Sequence, residues 1–167
     1  MIFLRRCVHP LVLVLITTAG TTAWAQQQPA SPMAGHDMAA APAATISGRT
    51  PAPAGAYAYI GWPNDGMVIR GTHFHVWFGL RGMGVAPAGT DKANTGHHHL
   101  LIDVPLPPLD EPIPNDKNHL HFGLGQTETS LDLPPGTHTL QLLLGDANHV
   151  PHSPPVMSSK ITITVRP

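Results

Sequence analysis

The chain has 167 residues, with 9 Lys or Arg against 10 Asp or Glu and a formal net charge of −1, yet it carries 12 histidines and a single cysteine. A near-neutral balance with no basic cluster argues against nucleic acid or an anionic membrane surface as partner. One cysteine leaves no internal disulfide and no cysteine-rich metal knuckle.

Arg5 and Arg6 precede the apolar run at 11–16, and Ala23-Trp24-Ala25 follows it, the pattern of a secretory signal peptide over residues 1–25 with cleavage before Gln26. The run is shorter than the ~20 apolar residues of a membrane span, and no later stretch approaches that length. A periplasmic or secreted protein without a membrane span is expected. Cleavage removes Cys7, so a metal would have to be held by nitrogen, carboxylate oxygen or thioether. With Gln26 first, a copper site built on an N-terminal histidine amine is also set aside.

Residues 26–54 are mostly Ala, Pro, Gln, Ser and Gly, with few large apolar side chains to offset the entropy of ordering, and they read as a flexible tether. Within them Met33, His36 and Met38 put two thioethers around an imidazole. That combination suits copper, because sulfur favours Cu(I) and imidazole accepts either oxidation state.

Residues 55–167 read as strands and turns, with no segment of ten residues showing a helical period. Residues 57–62 form the first expected strand, closed by the turn Pro63-Asn64-Asp65-Gly66. Along 72–80, Phe74, Val76, Phe78 and Leu80 share one face, while His73, His75 and Trp77 share the other. A glycine-rich connection leads to a strand at 97–104, where His98, Leu100 and Ile102 alternate with His97, His99 and Leu101. The proline-rich stretch 105–118 is a loop, since proline cannot donate to a sheet ladder. Strands are expected at 119–124, 129–133, 137–144 and 160–165. About seven short strands in ~110 residues fit an immunoglobulin-like β-sandwich, with a small barrel carrying cupin-like histidines as the alternative.

Three His-x-His pairs stand out: His73/His75, His97/His99 and His119/His121. Imidazole is the commonest ligand for borderline transition metals, and residues i and i+2 of a strand point to one face. In a sandwich the loop after the second strand and the loop between the last two share one end, which brings His149 and His152 towards His97 and His99. His73 and His75 then lie about five residues, or ~17 Å, away, too far to share an ion. The chain past the proline-rich loop leaves His119 and His121 free to join either end. The expected metal ligands are therefore His97, His99, His149, His152, His119 and His121, with copper favoured over zinc. His98 reads as a core residue, His138 as structural, and His73 and His75 equally well as a solvated face. Metal release is expected as pH falls through the ordinary imidazole range near ~6.5.

The segments FGLRGMGVAPAGT (78–90), NTGHHHLLID (94–103), HLHFG (119–123), GQTE (125–128), HTLQLLLGD (138–146) and HVPH (149–152) resemble a bacterial exported family known as domain of unknown function 4399. The resemblance extends over 61–165 and brings no activity or residue roles with it. No His-Glu-x-x-His, Gly-x-Ser-x-Gly or phosphate-cradling glycine loop is present. A metal hydrolase would need a carboxylate base, for which Glu128 and Asp103 are the candidates. Sequestration or delivery of a metal ion is the leading expectation. A metal-free envelope module that binds another protein, and a metal-dependent enzyme, are the alternatives.

Overall fold

The computed structural model describes residues 48–167, which contain nine β-strands and no helix. The expected signal peptide, Cys7 and the group of Met33, His36 and Met38 lie outside the described residues. Strands β1 (Tyr57–Trp62), β3 (His73–Arg81) and β7 (Glu128–Asp132) form an antiparallel sheet in the order β1-β3-β7. The second sheet runs β2 (Val68–Arg70), β9 (Ile161–Arg166), β8 (Gly136–Gly145), β5 (Thr95–Ile102) and β4 (Gly84–Val85), with β6 (His119–His121) also on β5. The result is the expected immunoglobulin-like β-sandwich rather than a closed barrel. The two strands that sequence reading did not find, β2 and β4, have three and two residues, too short to show an alternating pattern.

The turn at 63–66 lets the chain change sheets. Before it, β1 pairs antiparallel with β3; after it, β2 pairs parallel with β9. Gly66 supplies the positive φ of 75° that the turn requires.

The inner faces meet in one core. Phe74, Val76 and Phe78 of β3 pack with Leu100 and Ile102 of β5, Leu140 and Leu142 of β8, and Ile163 of β9. Period-two alternation is clean in β3, whose other face is exposed, but is absent from β5 and β8, which are buried on both faces. The cause is the proline-rich stretch. It packs Ile113, Leu106 and Leu109 onto Leu101 and Leu143 and makes a second, smaller cluster on the outer face of the six-stranded sheet.

The N-terminal boundary of ordered contact lies earlier than composition suggested. Residues 49–53, read as the end of the tether, run beside the chain that follows β8: Ala52 N–H donates to the Ser153 carbonyl and Ser153 N–H to the Thr50 carbonyl, each at 2.9 Å. Arg49 donates from Nε to the Pro151 carbonyl at 2.9 Å and from Nη2 to the His152 carbonyl.

His98 occupies the inner face of β5, fully buried, its ring edge-on to Phe78 at 5.0 Å between centroids. Neither ring nitrogen has a hydrogen-bond partner. Burial holds its pKa down to about 4, so the ring is neutral at pH 7. A buried polar group left unpaired costs ~1–3 kcal/mol. Exchange for leucine, which keeps much of the volume, is expected to raise stability by about 1 kcal/mol, read as a higher urea midpoint at pH 7. A lower midpoint would show that the ring is bonded within the fold.

Candidate metal centre

Four of the six expected ligands come together on the outer face of the six-stranded sheet. His97 and His99 project from β5 on the side opposite His98, and the β5–β6 pairing sets His121 directly across from His99. The fourth, His149, comes from the loop after β8. Ring centroids lie 4.9 Å apart for His97 and His99, 5.0 Å for His97 and His121, 5.0 Å for His99 and His121, and 4.8 Å from His149 to both His97 and His121. One ligand atom from each of His97, His99 and His121 lies within 4.8 Å of the others. A tetrahedral ion with metal–nitrogen bonds of ~2.0–2.1 Å sets its ligand atoms ~3.4 Å apart, so the rings would have to draw closer to hold one.

The other two expected ligands do not join. His119 is paired in register with Leu101, two residues along the strand from His121, and its Nδ1 lies 3.0 Å from Asp116 Oδ1. His152 is fully buried and sits one residue before the bridge between Ser153 and Pro51, outside the group of four rings. His73 and His75 lie on the other sheet, where they meet Asp132 and Glu128. His138 is structural: Nδ1 faces Asp103 Oδ2 at 2.7 Å and Nε2 faces the Pro134 carbonyl at 2.9 Å. Burial pulls its pKa down, but the bonds to Asp103 and Pro134 outweigh that and raise it. An oxygen acceptor at each nitrogen favours the protonated ring. The two carboxylates considered as catalytic bases are thereby occupied elsewhere, Asp103 by His138 and the Thr139 N–H, and Glu128 by His75.

The loop carrying His149 is built around Asp146. Its Oδ1 accepts the N–H groups of Asn148 at 2.9 Å and Val150 at 3.0 Å, while Oδ2 accepts Thr50 Oγ1 at 2.6 Å. The His149 N–H donates to the Asp146 carbonyl, and the His149 carbonyl accepts the Ile113 N–H at 2.9 Å. These bonds hold His149 at a φ of 68°, uncommon for a residue with a Cβ. Two glycines make room for the rings. A Cβ on Gly123 would come within 2.3 Å of the His121 ring, and one on Gly145 would meet His99 at 3.1 Å and the His149 backbone at 3.3 Å. Asp146, Ile113 and these glycines were not singled out by sequence reading. The one local signal was the Asp146-Ala147-Asn148 sequence, in which an aspartate can bond the backbone two residues on.

His97 and His99 are almost inaccessible to water, and Nε2 of His97, both nitrogens of His99 and Nε2 of His121 are buried without a hydrogen-bond partner. Burial, followed by repulsion from the neighbouring imidazoles, lowers the pKa of His97 to about 4 and of His99 to about 3, and lowers that of His121. Proton competition at ~6.5, expected from an ordinary imidazole, is therefore displaced downward, and the rings of His97 and His99 remain neutral well below that pH.

The same displacement governs folding. Folded-state values near 4, 4 and 3 for His97, His98 and His99 lie below the ~6.5 of the unfolded chain, so the unfolded state binds more protons between those limits. Metal-free protein is expected to lose stability as pH falls from ~6.5 towards 4, by several kcal/mol in total at ~1.4 kcal/mol for each pH unit by which a pKa is displaced. Urea midpoints at pH 7 and pH 5 test this; an unchanged or higher midpoint at pH 5 would contradict it.

A model of the family described as domain of unknown function (DUF4399) matches residues 76–166, more than half of the chain. The chain belongs to that family. No curated protein matches it. Among solved structures it is similar to the fibronectin(III)-like modules of Clostridium thermocellum CbhA, at 9% identity and a TM-score of 0.36, over 65% of this chain and 92% of that one.

Proposed function

We propose that this is a transition-metal-binding protein of the bacterial envelope, which holds one ion among His97, His99, His121 and His149 for sequestration or delivery. The observation that carries the reading is the set of buried, unpartnered imidazole nitrogens of His97, His99 and His121 converging from two adjacent strands, with the His149 ring beside them. Buried polar groups are nearly always bonded, and the buried imidazoles of His97, His99 and His121 offer nitrogens with no partner. A metal ion supplies what is missing. Three ligands stand on paired strands, which fixes their spacing, and the fourth stands on a loop.

The donor set is all nitrogen. It fits copper and zinc alike by ligand type, and copper stands first in affinity at such sites. The thioether and imidazole group at Met33, His36 and Met38 adds to the preference for copper. With four imidazoles around one ion no coordination position is left open, which suits storage or transfer rather than hydrolysis. The signal-peptide pattern supports an exported, periplasmic location.

The test is elemental mass spectrometry on untagged protein exported by a bacterial host, beside a His97→Ala/His99→Ala variant. About one copper or zinc per chain is expected in the parent and none in the variant. His119→Ala should retain full loading, because that ring is turned to Asp116. An apo protein that takes up neither ion on titration would sink the reading and favour a metal-free interaction module.

A second test uses the packing around the rings. Gly123→Ala places a methyl group where the His121 ring now lies, and that ring is hemmed in by three others. Metal affinity should fall at least tenfold, and urea stability of the apo form by about 1–3 kcal/mol from overpacking; unchanged affinity would remove His121 from the ligand set.

A further inference from the structure

The strap that precedes β1, residues 49–53, is seated chiefly by hydrogen bonds. Besides the bonds of Arg49 to the Pro151 and His152 carbonyls and those that Thr50 and Ala52 make with Ser153, Thr50 Oγ1 donates to Asp146 Oδ2 at 2.6 Å. No strap residue belongs to either apolar cluster. A segment that buries little apolar surface, and whose bonds water can replace, opens without unfolding the rest. Water is at hand for the Thr50–Asp146 bond, because both residues line a polar cleft of about 220 Å³ together with Thr95, Lys92 and Asn148.

What this bond holds is the least fixed of the four imidazoles. His97, His99 and His121 stand on strands and bring one ligand atom each within 4.8 Å of the others, a set that does not include His149. The His149 ring lies 4.8 Å from those of His97 and His121 but 5.9 Å from that of His99, and it is half-buried on a turn at a φ of 68°. The turn keeps its shape through Asp146, whose Oδ1 accepts the N–H groups of Asn148 and Val150, the residues on either side of His149. The terminal torsion of an aspartate is soft, and the Thr50 hydroxyl at the second oxygen completes the lock on its direction.

Lifting the strap leaves the turn tied at two other points. The Ile113 N–H still donates to the His149 carbonyl at 2.9 Å, and the Gly89 N–H to the Ala147 carbonyl at 3.1 Å. The turn therefore loosens without leaving the fold, and the three strand histidines keep their places.

On the reading that these rings hold an ion, on which this inference rests, we propose that Thr50 is a positioning residue for the fourth ligand, and that the strap sets the centre to retain its ion when seated and to release it when lifted. Seated, the strap gives four nitrogens and no open coordination position. Lifted, it lets the bond from His149 to the metal break, and the vacated position takes a neutral nitrogen or thioether donor from an acceptor. One bond to the metal is exchanged for another, with no electron transferred and no proton moved.

Two measurements on the exported, untagged protein test it, using Thr50→Val, which removes the hydroxyl and keeps the shape, and Thr50→Ser, which keeps the hydroxyl. In metal-free protein, amide hydrogen exchange at Asn148 and Val150 is expected to rise at least fivefold in Thr50→Val and to return to within twofold of the parent in Thr50→Ser, with the β5 amides unchanged. In protein loaded with one zinc or copper(II) ion, transfer to excess terpyridine, a chelator with three neutral nitrogens, is expected to be at least tenfold faster in Thr50→Val. The same substitution is expected to add nothing in a His149→Ala background. Unchanged exchange at Asn148 and Val150, or a rise that spreads to β5, would overturn the positioning role whatever the metal does. Faster exchange with an unchanged transfer rate, or an acceleration that persists in His149→Ala, would overturn the release role. A parent that takes up neither ion would defeat the metal reading and the release role with it, while the exchange result still decides whether Thr50 positions the turn.

Discussion

Exclusion of water from the outer face of β5 is the condition on which the histidine centre depends. In most sandwiches the outer face of a sheet is solvated; here the proline-rich excursion lays Ile113, Leu106 and Leu109 over Leu101 and Leu143, and the loop after β8 closes beside them. The imidazoles at the edge of this cover therefore lose water without gaining hydrogen bonds. Low dielectric then acts twice on the same rings: it keeps protons off them, and it makes their unmet lone pairs costly. A cluster of exposed histidines would share the composition of this site but neither of those properties.

Three elements divide the work of placing the four imidazoles. The β5 backbone fixes His97 and His99 by simple alternation. Register between β5 and β6 fixes His121, because one step of slip would turn that ring to the opposite side of the sheet. His149 has no ladder to hold it, and its position comes from the bonds of Asp146 and Ile113. The glycines at 123 and 145 leave the volume into which the rings converge.

Much of this was legible in the sequence, and the parts that were not have physical reasons. Alternation identified both faces of β3 and the core role of His98, because strand periodicity is local information. The shared end of two loops identified His149 as a neighbour of His97 and His99, because sandwich connectivity leaves few choices. Which end the pair His119 and His121 joins could not be decided, since it depends on the path of the chain through a long proline-rich loop. His152 was grouped with His149 by proximity along the chain, yet the left-handed backbone at His149 and the bonds from Arg49 and Ala52 turn the following residues into a different contact. The same bonds explain why residues 49–53, tether-like in composition, are held: their contacts are made mostly by backbone carbonyls and amides, which composition does not report.

Thr50 reaches Asp146, Asp146 shapes the turn, and the turn presents His149. This short chain of bonds joins the N-terminal strap to the histidine centre, so under the proposed function ion binding at the centre and seating of the strap would be linked equilibria. By reciprocity, whatever free energy a seated strap contributes to holding an ion at His149, the ion returns to the seating of the strap. A pull or a partner acting on the chain before Arg49 would thus be felt as a change in affinity at the imidazoles, although it touches none of them.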